Sequence, residues 1–469
     1  MPPRGMAARG EQLATLHGLQ HEKTVAPALG NLLEELEAQG GLSDEQSAIV
    51  RSFKFERDRA SKLPSDLVKE TARAQAAALT AWGEARHGES FRVFAPALRR
   101  LLELKRQTAD AYGIPTAGER YDALLEGYEP GMRVSRLIPI FETLRDWLVP
   151  AIQKIGTCKQ PRVDFLQGHF DSGHQWNFTL ELLEAMGFDL KAGRQDRSVH
   201  PFTTSFDPED VRITTRIFEN LPLSSVFSTI HEAGHALYEQ GLPIAIRRTS
   251  ACTAASMGLH ESQSRLWENL VGRSEAFWKA FLPLYSAHFS EQLGNTSVRD
   301  FVTAVNRVER SPVRVEADEV TYNVHILIRF ELELRLLRGQ LEVDDLGPAW
   351  NDLYEESLGL KIADDTTGEL QDIHWAWGEF GYFPTYTIGN LYSASLFKAA
   401  CRSIPNLTSS IEEGRLLPLR DWLRENVHRW GRLEQAETIV ERATGSRLNV
   451  EDFITYLREK YESLYSVSL

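Results

Sequence analysis

The chain is poor in cysteine, with only Cys158, Cys252 and Cys401 in 469 residues. No two lie close in sequence, so there is no disulfide framework, and none shares a metal or nucleophile motif with a histidine. They read as buried thiols of a protein from a reducing compartment. Long apolar runs are also missing. No stretch approaches the ~20 residues a helix needs to cross a bilayer, which argues against membrane insertion. The opening MPPRGMAARGEQ has no apolar stretch after its basic residues. That is not a secretory pattern, and its small basic character suits at most a tail or an organelle address. The location these absences imply is cytoplasmic. Basic charge is in deficit as well, with 52 Lys and Arg against 66 Asp and Glu for a net charge of -14. A nucleic-acid binder would need a basic face, so no nucleic-acid partner is expected. Fixed-period repeats and low-complexity tracts are absent.

Helical periodicity is abundant. LGNLLEELEAQ, FAPALRRLLELKRQTADAY, LIPIFETLRDWLVPAIQKI and the tail DFITYLREKYESLYSVSL all space apolar residues three and four apart. One stretch differs. Arg197–Pro222, RSVHPFTTSFDPEDVRITTRIFENLP, is rich in Thr, Val, Ile and Phe and broken by Pro and Asp, a composition of short strands and turns. The expected architecture is mainly α, with one small sheet at about 194–222. A break near Gly156–Gly168 divides it into an N-terminal helical region, 1–160, and a catalytic region, 161–469, packed as one unit.

The next segment carries the chemistry. In STIHEAGHALYEQG, Ser228–Gly241, two histidines stand four apart. On a helix they share a face one turn apart, so His231 and His235 can offer two imidazole nitrogens to one tetrahedral Zn²⁺. Glu232, about 100° round the helix, can reach water at the metal's open position and take its proton. The bland alternative is a core helix with hydrogen-bonded histidines. A catalytic zinc needs a third protein ligand. MGLHESQSRLWENL, Met257–Leu270, brings His260 and Glu261 together, and either could ligate. Glu261 is the choice taken, against the alternative of a Glu261–Arg265 pair on a solvated face. HPF at His200 and DVRIT at Asp210–Thr214 fall in the strand region, the latter alternating like an exposed edge or groove-lining strand. GELQDIHWAWGEFGYFPTYTIGNLY, Gly368–Tyr392, suits either a binding wall or a packed aromatic core.

Taken together, six motifs occur in order: HPF (His200–Phe202), D-x-R-x-T (Asp210–Thr214), H-E-x-x-H (His231–His235), H-E-S-Q (His260–Gln263), VRVEAD (Val313–Asp318) and GELQDIHW (Gly368–Trp375). The set resembles the carboxypeptidase Taq family of zinc metallocarboxypeptidases, with weaker echoes in AWGEAR and YDALLEGYEPGM upstream. PIAIRRTSACTAASM departs from the family pattern, placing Arg247 and Arg248 where a Tyr-Gly-Thr-Pro-like turn is expected, which bears on the rim of the cleft. The resemblance implies a large two-lobed helical fold with a deep central cleft, the sheet lining it and the zinc helix at its floor. It implies a homodimer that removes single residues from free peptide C-termini with broad specificity and poor acceptance of proline.

Carried onto this chain, the resemblance makes His231, His235 and Glu261 ligands of one Zn²⁺ per subunit, with Co²⁺ able to substitute. Glu232 is the general base. Tyr386 is the candidate phenol for the developing oxyanion, with His200 second. Arg314 is the position the pattern offers for the substrate's carboxylate, against a structural ion pair with Glu316 or Asp318. His374 and Gln371 line the pocket, with Asp372 and His260 supporting from behind. A dipeptidase or oligopeptidase sharing the zinc helix is the nearest alternative. A helical scaffold with a vestigial site is a more distant one, disfavoured because Glu232 is intact.

Overall fold

The computed structural model describes residues 6–88 and 90–469. The first five residues, part of the segment read as a tail or address, lie outside the described residues, and a helix begins at Met6. The chain is mostly helical, with one three-stranded sheet. It divides into two compact units, and the division is not a single cut. Unit 1 comprises Met1–Ile152 and Glu309–Pro384, and unit 2 comprises Gln153–Val308 and Thr385–Leu469. Residues 309–384 belong with the N-terminal helices in unit 1.

The reason is a buried polar hub in unit 1. Glu333, on the helix Tyr322–Arg338, is fully buried and accepts from Tyr121 Oη at 2.8 Å, Trp375 Nε1 at 2.9 Å and the Gly381 amide at 3.0 Å. Burial pushes its carboxyl up to about 7, partly offset by these donors. One side chain thus ties residues from three distant stretches of sequence, and each bond would leave a buried polar group orphaned if the 309–384 segment moved away.

In unit 2 the strands are β1 (Gly193–Arg197), β2 (Thr203–Asp207) and β3 (Asp210–Thr215), in the order β1-β3-β2. β1 runs parallel to β3 and β2 antiparallel to it. DVRIT is therefore the central strand, not an edge. Its alternation arises because Val211 and Ile213 are fully buried while Arg212 points outward and pairs with Asp210 at 2.8 Å. The sheet packs against the helix Pro222–Glu239, the HEAGH helix. Thr215 Oγ1 lies 2.9 Å from Ser228 Oγ, and Thr229 Oγ1 donates to Gln195 and Thr215, which locks sheet to helix. The HEAGH helix starts with Pro at its first turn, where a missing N–H costs nothing. It buries Val226, Ile230, Ala233 and Leu237, a stripe at helical spacing. The cysteines correct the expectation of buried thiols: Cys401 is exposed, and Cys158 and Cys252 are half-buried. No helix among the described residues is long and apolar enough to cross a membrane.

Candidate metal centre and active site

The HEAGH helix and the short helix Met257–Arg265 approach each other backbone to backbone. Gly234 allows it: a Cβ there would stand 2.6 Å from Ser264 Cα and 2.7 Å from the Gln263 carbonyl oxygen. Glycine costs about 1 kcal/mol against alanine inside a helix, so its presence here is explained by the contact. Gly389, on the helix Pro384–Ser403, does the same from another side, where a Cβ would lie 2.7 Å from Glu261 Cγ. Ser256 caps the second helix by accepting from the Leu259 amide. That helix then widens into a π-turn over Leu266–Val271. Such turns recur at functional sites because they redirect a side chain without ending the helix.

The result brings His231, His235 and Glu261 together, with one donor atom of each within 4.8 Å of the others. Glu261 Oε2 lies 3.3 Å from His235 Nε2 and 3.9 Å from His231 Nε2. A tetrahedral ion with bonds of about 2.0–2.1 Å spaces its ligands by about 3.3 Å, so the donor set and spacing fit Zn²⁺. A second possible cluster, His169, Asp171 and Glu219, is exposed, and Asp171 there caps a helix through the amides of Gly173 and His174. Burial distinguishes the first. Burial alone would raise the Glu261 carboxyl, yet Arg265, His231 and His235 hold it well below its ordinary range. The Glu261–Arg265 bond, 2.7 Å, does form, but inside the protein rather than on a solvated face. Burial, followed by the neighbouring His260, pushes His235 down to about 4, leaving a neutral imidazole able to ligate.

Sequence reading missed Glu268. It projects from the π-turn to His231, with Oε2 2.9 Å from Nδ1, and is itself held by Arg265 and Arg273. A carboxylate on Nδ1 fixes the proton there and turns the Nε2 lone pair toward Glu261. The signal was present in RLWENL, but a glutamate two turns beyond Glu261 reads as solvated until His231 is known to face it. Glu268→Ala is expected to weaken metal affinity about 10–100-fold with His231, His235 and Glu261 all intact, measured by competition with a chelator. Retention equal to wild type would show that His231 is oriented without it.

His260 and Glu261 point in different directions. His260 Nε2 is 3.0 Å from Glu239, and its ring stacks on His235 with centroids 4.4 Å apart. It braces one histidine by ring packing, and the His235 Nδ1 has no hydrogen-bond partner. Glu261→Ala should therefore strip metal on dialysis, while His260→Ala should lose less. The reverse order of metal contents would overturn the assignment of ligand and brace.

Glu232 is buried, and its Oε2 accepts from Thr203 Oγ1 at 2.6 Å. Burial raises its carboxyl, with His231 and Thr203 offsetting part of the shift. Tyr386 is half-buried, one turn before Gly389 on the helix that touches Glu261. His200 is exposed in the β1–β2 connection, three residues before Thr203.

The remaining candidates gather in unit 1. Arg314 pairs with Asp372. Its Nε and Nη2 donate to Asp372 Oδ1 at 2.9 and 2.7 Å, and Nη1 donates to Tyr322 Oη. Arg329, fully buried, takes the other oxygen of Asp372 at 2.6 Å. Burial would raise the Asp372 carboxyl, but the two guanidiniums hold it far below its ordinary range. Gln371 clamps the turn, accepting from the Arg314 amide and donating to the carbonyls of Pro312 and Thr367. His374 is packed against Phe383 and Tyr382, and burial pushes it down to about 3.

A half-buried pair of histidines one helical turn apart and a buried carboxylate from a second helix, with a glutamate next to the first histidine, make a site that could hold a metal ion. The chain belongs to the carboxypeptidase Taq (M32) metallopeptidase family, whose pattern it matches over residues 1–461. It is a peptide-bond hydrolase. It is 44% identical to thermostable carboxypeptidase 1 of Thermus thermophilus over 99% of this chain and 93% of that one. It is 36% identical to carboxypeptidase 1 of Bacillus subtilis over 99% and 93%. Among solved structures, the M32 carboxypeptidase of Deinococcus radiodurans superposes with a TM-score of 0.95 at 39% identity, covering 100% of this chain and 94% of that one.

Proposed function

We propose that the chain is a zinc-dependent carboxypeptidase that releases single residues from the free C-termini of peptides. It accepts most terminal side chains and proline poorly, and works as a homodimer in the cytoplasm. The observation that carries the reading is the convergence of His231, His235 and Glu261 beside the buried carboxylate of Glu232. His231, His235 and Glu261 would hold Zn²⁺, with Co²⁺ able to replace it, and the ion would supply a Lewis acid for water and for the scissile carbonyl. Glu232 takes a proton from the attacking water and returns it to the leaving amine. The Thr203 hydroxyl holds its carboxylate in place meanwhile. Tyr386 donates to the charge developing on the carbonyl oxygen, with His200 the second candidate. Arg314 receives the substrate's carboxylate. Asp372 grips its guanidinium from one edge, and Gln371 fixes its main chain, so the plane of the fork is set before substrate arrives. His374, kept neutral, is the candidate for lining the substrate pocket.

The test is a set of matched peptides with free and amidated C-termini, incubated with and without chelator and read by mass spectrometry. Loss of one C-terminal residue, from free ends only and only with metal, is expected. Internal cleavage of both forms would replace the reading with an oligopeptidase. Arg314→Ala should lower kcat/KM on free-ended peptides by about one to three powers of ten and cost far less on amides. An unchanged free-to-amide ratio in protein with a native circular dichroism spectrum would remove Arg314 from the site.

A further inference from the structure

His231 and His235 are held in different ways. Glu268 meets His231 Nδ1 at 2.9 Å, whereas no group among the described residues hydrogen-bonds to His235 Nδ1. His235 has a column of rings instead. His260 stacks on it with centroids 4.4 Å and planes 16° apart. Tyr238 follows His260 at 5.5 Å and 27°, and His428 follows Tyr238 at 5.0 Å and 25°. All four residues lie in unit 2, and Tyr238 and His428 are fully buried.

The far end of the column is anchored. His428 Nε2 lies 2.8 Å from Gln263 Oε1, an oxygen that can only accept, so the proton sits on Nε2. Gly241 makes room for the ring, since a Cβ there would stand 2.6 Å from His428 Cβ and 2.7 Å from its Nδ1. Four residues on, the Arg432 amide donates to the Ala251 carbonyl at 3.0 Å and ties down the turn that carries His428. Gln263 stands on the same short helix as His260 and Glu261. That helix therefore supplies one ring of the column, the carboxylate beside His235 and the pin at the column's end, which gives Gln263 of the H-E-S-Q motif a role.

The lone pair of an imidazole nitrogen lies in the ring plane, so whatever fixes the plane aims the lone pair. Close-packed rings cannot tilt one at a time without overlapping a neighbour. Resting on the zinc reading, we propose that His428 is a positioning residue for the metal centre. It closes the four-ring column that sets the plane of His235, and so aims His235 Nε2 at the ion. It acts through Tyr238 and His260, and the ring packing does for His235 what the Glu268 carboxylate does for His231.

The experiment measures the zinc affinity of the full chain by competition with a chromophoric chelator, alongside the melting temperature of the metal-free protein. His428→Leu fills the space without a flat ring and should weaken zinc binding about tenfold, the low end for a residue that supports a ligand from behind. His428→Phe keeps the ring and should stay within about threefold of wild type, although both variants lose the bond to Gln263 and should melt lower. In a His260→Ala background the column is already cut, so His428→Leu should then change affinity by less than about twofold. A zinc affinity of His428→Leu near wild type overturns the proposal. So does an equal loss for leucine and phenylalanine, or a loss that persists undiminished without His260, since a purely structural role gives those results. If His428→Leu does not fold, Tyr238→Leu against Tyr238→Phe decides by the same competition. A loss of about tenfold for leucine alone is expected there, and equal affinities overturn the proposal. Wild type that takes up no zinc, or no more than His231→Ala does, would sink the zinc reading instead. The column is then judged by the crystal structure of His428→Leu, where a turned His235 ring is expected and an unmoved one overturns it.

Discussion

Glu232→Gln is expected to keep its metal and lose turnover by about two to four powers of ten, or about 3–5 kcal/mol of transition-state stabilisation. The substitution is nearly isosteric. The amide oxygen can still accept from Thr203 Oγ1, and the histidines on either side, His231 and His235, keep their contacts with Glu268 and Glu261. What disappears is a basic oxygen able to take a proton from water. The loss should fall on kcat and kcat/KM together, since the glutamate acts in the transition state rather than in binding. Metal content by mass spectrometry and kinetics on one preparation give the answer. Near-wild-type activity in metal-replete protein would remove Glu232 from its role, and loss of metal would show that the carboxylate is needed to build the centre.

Much of this centre was legible because local periodicity encodes it. Histidines at i and i+4 share a face whatever the tertiary fold. The predominance of helix and the position of the sheet followed from residue spacing and composition in the same way. What the sequence hid are pairings between distant positions. Arg314 had acids two and four residues away, and spacing favoured them. Asp318 instead accepts from the Val320 and Thr321 amides of its own turn, and Arg314 takes Asp372, 58 residues on. Glu268 was equally unreadable, since its importance comes from a histidine 37 residues earlier on another helix. The alternation in DVRIT correctly announced a strand but could not say whether a neighbour lay on both sides. The return of 309–384 to the N-terminal helices depends on Glu333 meeting Tyr121 and Trp375, a long-range hydrogen-bond set with no local trace.

Asp372→Asn should be the most destabilising of the substitutions considered, because of what it leaves behind. Asp372 is buried, and both its oxygens are taken by guanidiniums that are themselves buried. Neutralising it leaves Arg314 and Arg329 facing each other across an amide whose nitrogen donates where an acceptor is needed. Removing one partner from a buried ion pair costs about 3–5 kcal/mol, mostly the penalty of the charge left unpaired. A unit of this size loses about 2–4 °C per kcal/mol, so the transition of unit 1 should fall by roughly 6–20 °C. The pH dependence has a definite sign. The carboxyl is held far below its ordinary value in the folded protein, so its stabilisation is complete above the unfolded value near ~4 and declines only as pH falls below that. The gap between wild type and Asp372→Asn should be flat from about pH 5 to 8 and narrow in acid. Thermal unfolding across that range, with limited proteolysis to identify which unit opens, measures both. A gap that widened in acid, or a transition within 2 °C of wild type, would mean that another anion neutralises the two arginines.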